Sequence, residues 1–235
     1  MKIAVVLAGG VGRRMGHVKL PKQFLEINGI AMIILTLQNI IDSRLFDAIY
    51  IVIHPDCKIY LYEILANCQI DIPRENRIFG GHERIDSVEN ALDALKTKET
   101  KFDDIVLFAD AVRPFVNKEL LSRALLTTME HGACVAVVPA KDTMVIVENG
   151  AVLTIPNRSS LFHGQAPDSF KFGIIYDCIK SLRPEERVQI TGTVQICQAK
   201  GVHVHTFLGD ERNIKITSIV DLFLAKAIHR EMSGQ

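Results

Sequence analysis

The chain has 235 residues, 48% of them apolar, and its 27 Lys plus Arg are matched by 27 Asp plus Glu. A balanced charge argues against a nucleic-acid coat or a polybasic membrane anchor, since both need excess positive charge, but it leaves room for a local basic pocket. Cys57, Cys68, Cys134, Cys178 and Cys197 are odd in number and show no C-x-x-C spacing, so free thiols in a reducing cytoplasm are expected rather than zinc or a disulfide framework.

Residues 2–7 form a short β-rich run that leads straight into Gly9-Gly10. That start lacks the longer apolar stretch and cleavage site of a signal peptide. No later segment reaches the roughly 18 uncharged apolar residues of a membrane helix. Residues 30–42 predict a helix, and residues 48–53 (AIYIVI) a buried strand closed by His54-Pro55. A helix over 57–67, a short strand over 77–79 ending at Gly80-Gly81, a helix over 85–95 and a strand over 104–108 (DIVLF) follow. Unbroken apolar strands separated by helices indicate an α/β fold, a mostly parallel sheet with helices on both faces. Such sheets bind ligands at the carboxyl ends of their strands, so the loops after Leu7, Ile53, Phe79 and Phe108 are the informative ones.

After a further strand over 134–139, the pattern changes. In residues 143–155 two β-branched runs flank Glu148-Asn149-Gly150, and Asn-Gly favours a two-residue hairpin turn. The segment is expected to form a β-arm at about residues 140–160, whose exposed apolar face suits a homodimer contact. Residues 202–207 read as a last strand. Ser218, with Asp221 three positions on, then opens a C-terminal helix. With no repeat, linker or low-complexity tract, one domain over 1–235 is expected.

Five clusters carry chemistry. The loop Ala8-Gly9-Gly10-Val11-Gly12-Arg13-Arg14 and the following Lys19 and Lys22 join a glycine turn to several cations. Glycine lets backbone N–H groups approach phosphate oxygens, and the cations would neutralise them. The loop matches neither G-x-G-x-x-G nor a Walker A motif, because Met15 stands at the third glycine position and His17 follows Gly16. In Gly80-Gly81-His82-Glu83-Arg84-Ile85-Asp86-Ser87, a turn and helix cap is expected from Asp86 or Ser87, and Arg84 is available to a ligand. Asp110 and Arg113 lie just past a buried strand, where an acid is expensive unless paired or metal-bound. Asp110 could pair with Arg113, or could help to place a divalent metal or an acceptor. Lys215 alternates with Ile214 and Ile216, so its side chain points opposite to theirs. Arg158 stands at the base of the arm; His163, five residues on, carries no assigned role.

Taken in order, AGGVGRRM, PKQFL, GGHERIDSV, DAVRPF, KDT, an arm ending at Arg158, and NIKIT resemble the IspD/TarI-type cytidylyltransferases over almost the whole chain. The resemblance implies a Rossmann-like, GT-A-like nucleotidyltransferase fold. It also implies CTP and a phosphorylated polyol as substrates, with Mg²⁺ as cofactor. Ala8, Gly9, Gly10 and Gly12 would wrap the nucleotide, with Arg14 and Lys22 on the triphosphate as the main catalytic cations. Gly81, Arg84 and Ser87 would lie at the cytidine end. Asp110 and Arg113 would serve the acceptor and metal region, and Asp142-Thr143 would line the acceptor pocket. Lys215 would hold the acceptor phosphate, joined by Arg158 from the partner subunit's arm.

PKQFL, the Val-Arg-Pro-Phe run and Gly164-Gln165 lean towards the ribitol-5-phosphate branch, which supplies capsule or teichoic-acid-like polymers. The methylerythritol-phosphate branch of isoprenoid synthesis is the alternative. Members of both usually carry His where this chain has Ala109, Thr where it has Ala166, and Thr-Asp where it has Thr191-Gly192. Those changes are expected to remove polar groups near the acceptor. A reading of another class, a catalytically weakened nucleotide-binding protein, is opposed by the retention of Arg14, Lys22, Asp110, Arg113 and Lys215.

Overall fold

The computed structural model describes residues 1–10 and 21–234. Gly12 and Arg14, both expected on the nucleotide, lie outside the described residues. The elements run β1 (Lys2–Ala8), β2 (Glu26–Ile27), β3 (Ile30–Ala31), α1 (Met32–Ser43), β4 (Ala48–Ile53), α2 (Lys58–Asn67), β5 (Arg77–Phe79) and α3 (Arg84–Thr97). They continue with β6 (Ile105–Asp110), α4 (Lys118–His131), β7 (Ala133–Pro139), β8 (Ile146–Glu148), β9 (Ala151–Thr154) and β10 (Phe162–Lys171). The last are α5 (Phe172–Lys180), α6 (Pro184–Gln189), α7 (Thr193–Ala199), β11 (His205–Leu208) and α8 (Ile219–Met232).

Among the described residues the central sheet has seven strands in the order β11-β7-β10-β6-β1-β4-β5. All neighbouring pairs are parallel except those of β10, which runs antiparallel to both β6 and β7. Strand β1 shows why its run is apolar throughout. Ala4, Val6 and Ala8 pack into the layer of α1, α2 and α4, while Ile3, Val5 and Leu7 pack into the layer of α3, α5 and α7. A strand buried on both faces has no polar side to display.

The hairpin forms where expected. Asn149 and Gly150 both take positive φ, 50° and 80°, as a tight two-residue turn between twisted strands requires. Residues 141–155 are exposed throughout, and Met144, Ile146, Val147, Val152, Leu153 and Ile155 leave an apolar surface uncovered. The C-terminal helix starts as expected: Ser218 Oγ accepts from the Asp221 N–H, and the Asp221 carboxylate accepts from the Ser218 N–H.

Beyond shifts of a residue or two at other ends, two element starts and one whole strand differ from expectation. Helix α1 begins at Met32 because Ile30 and Ala31 first pair with Ile27 and Glu26. The last strand begins at His205 rather than 202, since pairing to β7 starts only there. Strand β10 was not anticipated at all. Its sequence, FHGQAPDSFK, interrupts the apolar pattern with Gln165, Pro167 and Asp168, and its register shifts between Gln165 and Asp168.

Candidate active site

The cleft opens at the carboxyl ends of β1 and β6 and is lined by Leu7, Ala8, Gly10, Lys22, Gln23, Arg84, Asp110, Ala111, Val112 and Lys215. Each wall has a local cause. Gln23 is buried and donates from Nε2 to the Ala8 carbonyl at 2.8 Å. With Phe24 wedged edge-on against Tyr60 at 4.7 Å, this bond fixes the turn that carries Lys22 to the end of β1.

On the other side, Gly80-Gly81 turns the chain from β5 into α3. The Gly80 N–H donates to the Ile53 carbonyl at 2.9 Å. Ser87 Oγ accepts from the Gly81 N–H and donates to the Glu83 carbonyl, each at 3.2 Å. A Cβ at Gly81 would meet Asp86 Cβ at 2.2 Å, so packing demands glycine there, whereas one at Gly80 would crowd only the Ser87 Oγ, at 2.8 Å, which would have to turn aside. The Asp86 carboxylate caps α3 by accepting from the Glu83 N–H at 2.9 Å. Ser87 thus braces the turn, while the N-cap residue is Glu83, with Asp86 at the third helical position bonding back to it. Among the described residues, a Cβ at Gly10 would meet nothing within 4 Å.

Asp110 is the hub. Arg84 Nη1 donates to its Oδ1 at 2.7 Å, Lys215 Nζ stands 2.9 Å from Oδ2, and Arg113 Nε lies 3.5 Å from Oδ2. Burial alone would raise this carboxyl, but Arg84, Lys215 and Arg113 hold it far below the usual carboxylate range. Against the cost of burial, Asp110 and Asp168 raise the Arg84 guanidinium above its ordinary value. Burial lowers that of Arg113 in spite of Asp110. Arg113 also donates from Nη1 to the Asn213 carbonyl at 2.7 Å, and Asn213 Nδ2 donates to the Ala166 carbonyl at 2.7 Å. The Ile216 N–H then donates to the Val112 carbonyl at 3.0 Å. These bonds lay the 213–216 segment along the cleft with Ile216 in the core and Lys215 turned to Asp110, which is the alternation expected, achieved without a strand.

The structure therefore brings together Ala8, Gly9, Gly10, Lys22, Arg84, Asp110, Arg113 and Lys215, with Gly81 and Ser87 behind one wall. It leaves Thr143 and Arg158 out of this cleft. Both are exposed near the arm's base, where Arg158 Nη1 donates to the Lys141 carbonyl at 3.1 Å. Arg84, expected at the cytidine end, stands beside Asp110. Gln23, Asn213 and Asp168 went unassigned in the sequence. Gln23 and Asn213 act through backbone carbonyls, a role that residue type does not reveal. Of the departures from the family pattern, Ala109 is buried in the hydrophobic layer of α1, α2 and α4 rather than in the cleft.

A magnesium ion held by Asp110 does not fit this arrangement, because both carboxylate oxygens already face cations. Among the described residues, no group of three or more His, Cys, Asp or Glu is placed to hold a metal.

A mostly parallel sheet with a cation-rich cleft at its carboxyl edge defines an α/β nucleotidyltransferase. Residues 2–231 match the family model of IspD, 2-C-methyl-D-erythritol 4-phosphate cytidylyltransferase. The enzyme of that name from Clostridium botulinum is 38% identical over 233 residues, covering 96% of this chain and 98% of the relative. A ribitol-5-phosphate cytidylyltransferase from Lactiplantibacillus plantarum is 33% identical over 234 residues, covering 99% and 100%. The crystal structure of 4-diphosphocytidyl-2C-methyl-D-erythritol synthase from Anaerococcus prevotii superposes with a TM-score of 0.79 at 25% identity, covering 97% of this chain and 96% of that one. The chain belongs to the IspD cytidylyltransferase family.

Proposed function

We propose that the protein transfers CMP from CTP to a phosphorylated polyol, with ribitol 5-phosphate the favoured acceptor, releasing pyrophosphate. The observation that carries this reading is the convergence of Arg84, Arg113 and Lys215 on one buried carboxylate beside Lys22. Three cations on one anion leave a net positive cleft, which suits two polyanions brought side by side. The acceptor's phosphate oxygen attacks the α-phosphorus of CTP in line, and pyrophosphate leaves. A phosphate monoester is already an anionic nucleophile, so the chain supplies no strong base; its work is placement and charge stabilisation. Lys22 and Arg14 act on the triphosphate, while Lys215 and Arg113 hold the acceptor phosphate. Gly9 and Gly10 let the backbone close on the nucleotide, and Asp110 keeps the three cations aimed. A divalent ion such as Mg²⁺ would offset triphosphate charge, carried by the nucleotide's own oxygens rather than by Asp110.

Arg158 and Thr143 complete the acceptor pocket from the arm of a second copy, which would also cover the arm's exposed apolar residues in a homodimer. A cytoplasmic enzyme is consistent with this chemistry, and no helix of the described residues is long and apolar enough to cross a membrane.

A second acceptor, 2-C-methyl-D-erythritol 4-phosphate, is favoured by the 38% identical relative of that name. Pyrophosphate release with CTP and Mg²⁺, comparing the two acceptors, decides between them. Release with ribitol 5-phosphate alone is the expected result; release with methylerythritol phosphate alone reverses the choice. Release with neither overturns the transfer to both.

A further inference from the structure

Asp168 lies on β10 directly opposite Phe108 on β6. Opposed residues of an antiparallel pair project to the same face, and Asp110 follows Phe108 by two positions. Asp168 therefore shares the face of Asp110, one strand over and one pleat deeper. Two helices begin on that face: α3, whose first residue is Arg84, and α7, whose first residue is Thr193. The other buried carboxylates are paired, Asp104 with the N-terminal amine and Asp110 with three cations. Asp168 is equally buried, yet it has no ion-pair partner within 4.0 Å among the described residues. The groups that face it are Arg84 on α3, Asp110 on β6 and Arg113 just beyond, the Cys197 thiol on α7 and the Thr193 hydroxyl, while Cys134 on β7 lies on the opposite face of the sheet. Its charge acts on both arginines.

We propose that Asp168 acts on the nucleotide through Arg84: from behind, its carboxylate offsets part of the guanidinium's charge and so sets how strongly Arg84 draws a polyanion into the cleft. The inference rests on the reading that CTP occupies this cleft. Arg84 touches Asp110 directly but feels Asp168 at longer range, so the two carboxylates do different work. Asp110 aims the guanidinium, and Asp168 trims its field without holding it in place. Burial pushes the Asp168 carboxyl up to about 6, with Arg84 pulling it down and Asp110 pushing it up. The trim is therefore present above neutrality and fades in mild acid.

Asp168→Asn keeps the shape and removes the charge. CTP affinity is measured by calorimetry with Mg²⁺ for both chains, at about pH 8 and about pH 5, on either side of that titration. The ratio of the two affinities cancels the titration of the triphosphate itself. The variant is expected to bind roughly three- to tenfold tighter at the higher pH, the size of one partly screened charge at close range, and equally at the lower. Equal affinity at both, or one constant ratio, overturns the proposal; a purely structural carboxylate would change stability without a pH-dependent ratio. Should Asp168→Asn not fold, Arg84→Gln decides: the ratio of wild-type to variant affinity, in which the triphosphate's titration again cancels, should rise as the pH falls from about 8 to about 5, and a constant ratio overturns the proposal. If CTP does not bind the wild-type chain, the functional reading falls, and inorganic triphosphate in the same comparison still judges Asp168.

Discussion

Arg84 reaches Asp110 at 2.7 Å across the gap between α3 and β6, and this bond joins the two halves of the cleft. Asp110→Asn should leave Arg84, Arg113 and Lys215 facing one another with only the more distant Asp168 to offset them. Breaking a fully buried pair costs about 3–5 kcal/mol, and the loss here should fall below that, because Arg84 and Lys215 keep about a third of their side chains in solvent. Urea unfolding should show the loss. Inorganic pyrophosphate should raise the variant's melting temperature more than that of the wild-type chain, since a polyanion replaces the missing charge. An unchanged urea midpoint would show that the cations do not depend on Asp110.

Lys22 is held at the end of β1 by its neighbours Gln23 and Phe24. Its removal should leave the sheet intact by circular dichroism. Turnover should fall by about a hundredfold or more, the scale of losing one well-placed donor to a developing anion, about 3 kcal/mol. Near-normal turnover in Lys22→Ala would remove it from the catalytic set.

Two glycines should respond in opposite ways. Gly81→Ala brings a methyl group to 2.2 Å from Asp86 Cβ, so the turn and the start of α3 must shift, at about 1–3 kcal/mol. Gly10→Ala meets no atom of the described residues within 4 Å. Its melting temperature should match wild type while its KM for CTP rises several-fold. A destabilised Gly10→Ala with unchanged KM would reverse these assignments.

The pH dependence of stability has a definite sign at Asp168. Its folded-state value of about 6 lies above the ordinary 3.8, so the folded chain binds the proton more tightly than the unfolded one. Stability from this group is present in full below about pH 4 and is lost as pH rises through about 6. A difference of two units amounts to about 2–3 kcal/mol. Asp168→Asn, which carries no charge to desolvate, should therefore be the more stable chain at pH 7–8 by up to that amount. The two chains should converge near pH 4. Denaturant titrations across this range would show it, and a gain that does not vary with pH would contradict it.

Complementation tests the arm. If Arg158 serves the neighbouring subunit, mixing Lys22→Ala with Arg158→Ala chains should regenerate activity that neither homodimer has, since one mixed site is then intact. No recovery after verified subunit exchange would place Arg158 outside the reaction. Asp substituted at Val147 and Leu153 should convert the species to monomer in sedimentation measurements.

Much of this architecture could be read in advance because the physics behind it is local. Strands β1, β4, β5 and β6 are short apolar runs between turn residues, and Asn149-Gly150 specifies its own turn. Asp110, Arg113 and Lys215 could be nominated by their place at strand ends and by resemblance, but their convergence depends on tertiary contacts. Asn213 aligns Lys215 through a main-chain carbonyl, which any residue carries. Strand β10 stayed hidden because its inward positions include polar side chains whose partners lie far away in sequence. Asp168 is the clearest instance: as part of a Pro-Asp-Ser stretch it reads as a loop, yet it is a buried strand residue opposite Phe108.

The base of the arm is pinched shut by the Ala140 N–H on the Leu161 carbonyl at 2.9 Å, just where β7 and β10 begin to pair through Pro139 and Phe162. Everything between these points can change length without disturbing the register of the sheet. The segment is a graft site: exchanging residues 142–160 for another member's hairpin, with Lys141 kept on Glu211, would transplant whatever that hairpin offers a neighbour while the sheet keeps its register.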